Sequence, residues 1–217
     1  MRISLRVFMS AGRVYEIGEV PADARLPTEH GEFRIRVFHE EETGLDHVAL
    51  LLGAMEGPDP VLVRVHSECL TGDAFSSLRC DCGPQLHAAM GLIQEIGWGC
   101  LIYLRQEGRG IGLHAKIQAY NLQDRGADTL EANLMLGHPA DARDYGIASE
   151  MLGSVGIDKV NLMTNNPDKV EQLSEYGINV VERMPLVAGV GEGNVDYLST
   201  KARRMGHKIS EESLGKE

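Results

Sequence analysis

A chain of 217 residues, 43% hydrophobic and 24% charged, has the make-up of an ordinary globular protein and enough material to bury a core. Its formal net charge of −11 excludes a broad nucleic-acid-binding surface, which needs a basic face, but leaves room for a small anion held by locally clustered arginines. No apolar run is long enough to span a membrane, and the opening MRISLRVFMSAGRVYE lacks the continuous apolar core of a signal peptide, so a cytoplasmic protein with no membrane partner is expected.

In chain order, VYEIGEV (14–20) reads as a strand and PADARLPTEHGE (21–32) as a turn-rich stretch. FRIRVF (33–38) alternates apolar and basic residues, as a half-buried strand does. HVALLLG (47–53) and VLVRVH (61–66) are strand-like runs separated by the turn signal MEGPDP. Together they predict an antiparallel meander leading into RVHSECLTGDAFSSLRCDCGPQLH (64–87). Pro84 stands where a first helical residue should, and Leu86, Met90, Ile93 and Ile96 follow at helical spacing up to Gly97. CLIYLR (100–105) reads as a buried strand, RQEGRGIG (105–112) as a glycine-rich loop, and Leu113 to Asp124 as a helix closed by Arg125-Gly126. Arg143 to Leu152 looks helical and KVNLMT (159–164) looks like a strand. Asn165-Asn166-Pro167 caps a helix that ends at Gly177, and INVVERM (178–184) is the next strand.

Strand–helix alternation in the second half implies parallel pairing. The expected fold is therefore α/β (mixed α+β): an antiparallel meander on the N-terminal side, then alternating strands and helices around a mixed sheet. One domain over 1–217 is expected, with a frayed polar tail from about 209.

Three of the four cysteines, Cys69, Cys80 and Cys82, are spaced C-x10-C-x-C. In an extended segment, residues two apart leave the same side of the backbone, so Cys80 and Cys82 would converge and Cys69 would loop back to them. Three clustered thiolates in a reducing compartment suit a metal such as zinc better than a disulfide. A fourth ligand could come from His66, His87, Asp73 or Cys100; without one, water fills the place and the site is open for catalysis rather than closed and structural. His66, Glu68 and Asp73 lie near enough in sequence to assist such a water. Cys100, in the apolar run GCLIYL, reads as a buried free thiol.

Two further stretches are suited to anions. RQEGRGIGLHAK (105–116) sets arginines and glycines at a helix start, where backbone N–H groups and guanidinium forks can bind phosphate, although it is not a Walker A loop; the plainer reading is a glycine-rich turn with surface arginines. TNNPDK (164–169) is a second helix start with a lysine in its first turn, or simply a capped helix. Asp141, Arg143 and Asp144 in HPADARDYG read on bare sequence as a solvated turn with a cap.

Taken together, RVHSECLTGD, LRCDCG, RQEGRGIGL, DTLEAN, RDYGI, LMTNNPDK and YLSTKARRMGH are similar, in order and spacing, to GTP cyclohydrolase II, over roughly residues 25 to 207. Residues 1–24 stand outside the resemblance as an extension, and the length has no room for the four-carbon-precursor domain fused to this one in many organisms. The resemblance implies hydrolysis of GTP to 2,5-diamino-6-(5-phosphoribosylamino)pyrimidin-4(3H)-one, formate and pyrophosphate, the first step of riboflavin synthesis. One zinc per subunit, on Cys69, Cys80 and Cys82, would activate water for attack on C8 of the guanine, and magnesium would accompany the triphosphate. GTP would be bound by Arg64, Val65, His66, Ser67, Glu68, Gln85, Glu107, Gly108, Arg109, Thr129, Thr164 and Lys169. Asp141 matches the position of a proton acceptor, Arg143 that of a nucleophile on the α-phosphate, and Tyr120 a tyrosine able to hydrogen-bond the opening ring. Arginine is almost never deprotonated, so electrostatic stabilisation is the cheaper account of Arg143. A homodimer is the family expectation. Gln118 stands where an arginine is common, His114 and Ala115 fall in a variable place, and 187–198 matches loosely. These departures keep open a paralogue that stops at a formamidopyrimidine nucleotide or takes a modified guanine nucleotide, and an inactive zinc-stabilised GTP-binding protein.

Overall fold

The computed structural model of the chain describes residues 9–10, 13–14, 22–55, 57, 59–139, 141–210 and 212–214. Met9–Ser10 (β1) and Arg13–Val14 (β2) form a small antiparallel ribbon. The remainder of the expected strand at 14–20 lies outside the described residues.

One mixed sheet organises the rest. Its strands are Ala22–Thr28 (β3), Gly31–Glu40 (β4), Leu45–Leu52 (β5), Val61–Ser67 (β6), Gly99–Leu104 (β7), Lys159–Met163 (β8) and Asn179–Met184 (β9). They lie in the order β3-β4-β5-β7-β6-β8-β9. The helices are Leu70–Asp73 (α1), Cys82–Ile96 (α2), Gly112–Gln123 (α3), Thr129–Met135 (α4), Gly146–Ser154 (α5), Pro167–Glu175 (α6) and Val195–Arg204 (α7). The expected mixed α/β class is found, and β7-β6-β8-β9 pair in parallel as the alternation implied.

The antiparallel meander is real for β3, β4 and β5 but does not include β6. β5 pairs with β7, and β6 lies between β7 and β8. The burial of β6 accounts for this: Val61 to His66 are all buried, which suits a central strand covered on both faces. Val61, Val63 and Val65 face one core layer with Ile147, Met151 and Leu152 of α5 and Leu173 of α6. Leu62 faces the other layer with Ala89, Met90 and Ile93 of α2. Side chains alternate along a strand, so Arg64 and His66 follow Leu62 on the α2 side, at the carboxyl end of the parallel strands.

The turn-rich reading of 21–32 is corrected. Ala22–Thr28 is a full strand, turning through Glu29 and His30 back into β4. It is the edge strand, where Pro27 costs no ladder bond on its open side. Polar cross-strand pairs replace the alternation that marks a half-buried strand: Arg25 with Glu32, and Asp23 with Arg34 and Arg36. The next helix starts at Cys82, two residues before Pro84, and ends as expected at Gly97, whose φ of 77° is left-handed. The helix expected from Arg143 starts only at Gly146. Three helices escaped the sequence reading, the one-turn α1 among them. α4 carries a capping box between Asp128 and Glu131, a signal present in the letters DTLE. α7 fills YLSTKARR. In the tail expected to fray, Glu212–Leu214 form a short 3-10 turn with Leu214 buried.

Candidate active site

The three cysteines converge, though not through an extended segment. Cys69 precedes α1, Cys80 lies in the loop after it, and Asp81 turns the chain so that Cys82 is the first residue of α2. Gly72 of α1 lies against all three: a Cβ there would come within 2.8 Å of Cys80 Sγ and 3.2 Å of Cys69 Sγ. The three Sγ atoms lie within 4.8 Å of one another, and Cys69 and Cys80 are 3.6 Å apart. Zinc–sulfur bonds of about 2.3 Å at tetrahedral angles put sulfurs about 3.8 Å apart, so the donor set fits a metal such as zinc. The neighbouring Cys80 and Cys82 thiols, and then Lys116, push Cys69 far below the ordinary thiol range. Cys80 is in turn pushed up to about 11, first by Cys69. A bound cation is what lets all three thiols ionise together.

None of the four candidates for a fourth ligand joins the cluster among the described residues. The Asp73 carboxylate accepts from the Cys69 N–H at 3.0 Å and the Tyr103 hydroxyl at 2.8 Å, and His66 Nε2 lies 3.1 Å from both its oxygens. His87 pairs with His30, ring nitrogens 2.9 Å apart, and Cys100 is a fully buried free thiol in the core, as expected. The three cysteines line a cleft, so a metal on them keeps a position open to whatever the cleft holds.

Lys116 of α3 is buried beside the cluster. Its Nζ donates to Cys69 Sγ at 3.1 Å and to Glu107 Oε1 at 2.8 Å. Burial opposes its charge, but Glu107 and Cys69 outweigh that and hold it protonated. Glu107 also accepts from the N–H groups of Leu70 at 2.7 Å and Gly108 at 2.7 Å, tying the glycine-rich loop to the cysteine loop. Such support orients a thiolate and offsets its charge. We expect Lys116→Met to weaken zinc binding by about 10- to 100-fold, read by competition with a chromophoric chelator. Unchanged competition would reduce Lys116 to packing.

Cationic side chains line the same cleft. Arg64 donates to the Met163 carbonyl at 2.9 Å and to Gln85 Oε1 at 2.6 Å, while its Nε has no partner among the described residues. Gln85 in turn donates to Asp81 at 2.5 Å. Lys169, at the start of α6, is buried and donates to the Val65 carbonyl at 2.8 Å. Burial, then Arg64 and Arg143, push its ammonium well below the ordinary lysine range, so a bound anion would favour its charged form. Arg143 donates from Nε to Asp141 Oδ1 at 2.9 Å and from NH2 to Asp141 Oδ2. Burial opposes the Arg143 charge, yet Tyr145 and Asp141 raise its pKa above the ordinary value. Burial likewise opposes ionisation of Asp141, but Arg143 overcomes it and lowers that carboxyl. The expectation of a solvated turn is overturned: Arg143's side chain is only 14% exposed and Asp141's 26%.

Of the residues singled out from sequence, Arg64, His66, Ser67, Glu68, Gln85, Glu107, Gly108, Arg109, Tyr120, Thr129, Arg143, Thr164 and Lys169 line this one cleft with the cysteines. Val65 does not; its side chain is in the core and only its carbonyl reaches the site, where Lys169 takes it. Asp141 stands behind Arg143. Tyr120 rests its hydroxyl 3.3 Å from Thr71 Oγ1, with Arg79 4.9 Å over its ring. Arg109 keeps a positive φ of 61°, which aims the glycine-rich loop inward, and its NH1 is buried without a partner among the described residues. Lys116, Tyr197 and Lys201 also line the cleft and were missed. Tyr197 and Lys201 are four apart on α7, on one helix face, a spacing that could have been read.

Comparison with known proteins gives a consistent answer. Residues 19–185 match the family described as GTP cyclohydrolase II. The chain is 58% identical over 189 residues to a GTP cyclohydrolase-2 of Cronobacter sakazakii, covering 87% of this chain and 96% of that one. It is 58% identical over 190 residues to one of Acinetobacter baumannii, covering 87% and 95%. A crystal structure of a two-domain 3,4-dihydroxy-2-butanone 4-phosphate synthase from A. baumannii aligns over 80% of this chain and 40% of its own, at 18% identity and a TM-score of 0.45, too distant to carry an argument.

Proposed function

Since the chain belongs to the GTP cyclohydrolase II family, we propose that it hydrolyses GTP to formate, pyrophosphate and 2,5-diamino-6-(5-phosphoribosylamino)pyrimidin-4(3H)-one. The observation that carries this reading is that the open three-cysteine cluster and the cationic wall share one cleft. The cysteine cluster is suited to hydrolysis at a carbon centre and the cationic side chains to a phosphate chain. The balance needs three waters: one to release pyrophosphate and two to remove C8 as formate.

When bound by Cys69, Cys80 and Cys82, zinc supplies a Lewis acid that lowers the pKa of water from about 15.7 towards about 7, less far with three thiolates than with three histidines. The remaining work falls to side chains. Tyr120 stays a phenol, its pKa raised by burial, so its hydroxyl is a donor for the nitrogen released on ring opening. His66 is kept neutral by burial and has an unpartnered Nδ1 among the described residues, an acceptor for a proton in the cleft. Arg64, Arg109 and Lys169 bind the phosphates, helped by Thr129 and Thr164. Arg143 stays charged and stabilises the phosphoryl transition state, while Asp141 fixes its orientation. Magnesium would accompany the triphosphate, whose oxygens suit that hard cation.

Of the departures from the family pattern, Gln118 and His114 are exposed on α3 and neither they nor Ala115 line the cleft. They give no reason to prefer a truncated reaction or a modified nucleotide. The test is the product spectrum from GTP with zinc and magnesium. We expect one formate and one pyrophosphate per GTP, and a pyrimidine product lacking C8 by mass spectrometry. A main product that retains C8 would overturn the assignment in favour of the formamidopyrimidine alternative.

A further inference from the structure

The C-terminal motif YLSTKARRMGH has no role in the reading above, and it lies beyond residue 185, where the family match ends. In the fold it becomes α7 and a short strap. Leu198 is buried beneath the helix. The strap is pinned by the Lys208 N–H, which donates to the Asn165 carbonyl at 2.8 Å, beside the start of α6 that carries Lys169. The His207 N–H donates to the Lys201 carbonyl at 3.1 Å. This places Lys201 in the cleft wall with its side chain 12% exposed.

An ammonium has three N–H groups. Among the described residues the Lys201 Nζ donates to Asp81 Oδ1 at 3.1 Å, and it sits 4.3 Å over the Tyr197 ring. Arg64, Arg109, Arg143, Lys169 and Lys201 all line the same cleft; of the carboxylates there, Glu68 and Glu107 are paired with Arg105 and Lys116, which leaves Asp81, and Asp141 behind Arg143, to face these five cations. So much positive charge in a confined site is costly without an anion to meet it.

We propose that Lys201 is a substrate-binding residue that takes the phosphate chain of the nucleotide, and that α7 is the wall which brings it there. This rests on the nucleotide reading of the cleft. The competing role is purely architectural: through Asp81, which sits between Cys80 and Cys82, Lys201 could do no more than hold the cysteine loop. The two roles predict opposite losses.

The test uses the full-length, zinc-loaded chain and two unreactive probes, tripolyphosphate and guanosine, each titrated by calorimetry at fixed magnesium. Lys201→Met should weaken tripolyphosphate about 10- to 100-fold, the range of a lost charge-assisted hydrogen bond, and leave guanosine affinity and zinc content unchanged. Lys201→Arg should recover most of the loss. Lys201→Gln keeps a donor for Asp81 but no charge, and should behave as Lys201→Met even if the latter folds poorly. Unchanged tripolyphosphate affinity overturns the proposal, as does loss of zinc or an equal loss of guanosine in Lys201→Gln. Failure of the wild-type chain to release formate from GTP would strike the functional reading instead, and leaves the tripolyphosphate result legible.

Discussion

A Cys80→Ser chain is expected to fold, to lose its zinc, and to release formate from GTP at least about a thousandfold more slowly than the wild type. The size follows from what the metal supplies: lowering the pKa of water by up to about nine units corresponds to an upper limit of about 12 kcal/mol of easier deprotonation. A serine hydroxyl is nearly the same size as the thiol but is a poor, unionised ligand. With Cys69 and Cys82 alone the cluster has only two soft donors. Steric change is small at the crowded point where Gly72 touches the cysteines, so the cleft should survive. Pyrophosphate release should fall less than formate release, because Arg143 and Lys169 do not depend on the metal for their placement. Zinc by atomic emission, formate by a coupled assay and pyrophosphate by phosphate release give the three readings. A variant that keeps full zinc and full formate release would remove the cysteine cluster from the reaction.

Arg143→Ala is expected to lower kcat for pyrophosphate release by about 1,000-fold or more, the scale on which an arginine stabilises phosphoryl transfer, with zinc content unchanged. Its Nε and NH2 are held by Asp141, and NH1 lies 3.5 Å from Ser67 Oγ on the cleft side. A guanidine nucleophile would have to lose a proton that these surroundings hold more tightly than usual. Asp141→Asn keeps one acceptor but removes the charge that fixes the fork, so it should lose activity less severely than Arg143→Ala. Quenched-flow digestion and mass spectrometry decide the role: a phosphoramidate trapped on Arg143 would overturn electrostatic stabilisation and restore the nucleophile.

Much of the site was legible because its residues are chemically loud and locally grouped. Three cysteines within fourteen positions suggested a soft metal, and two helix starts with basic residues suggested an anion. Other residues were quiet. Lys116 looks like any helix lysine until α3 turns it onto Cys69 and Glu107. Asp141 and Arg143 look like a solvated turn until the fold closes over them. β3 reads as turns because its stabilisation is supplied by cross-strand charge pairs, which periodicity does not register.

The sequence by itself determined the element types over most of the second half, the parallel pairing there, which three cysteines form a cluster, and the family. These depend on local composition, spacing and order along the chain. Only the tertiary structure decided that β7 inserts between β5 and β6, that Cys82 opens a helix rather than continuing a strand, and that α7 returns Lys201 to Asp81, 120 positions away. Those outcomes depend on which strand is buried on both faces and which helix covers it. Such burial is a property of the whole packed chain and of no segment within it.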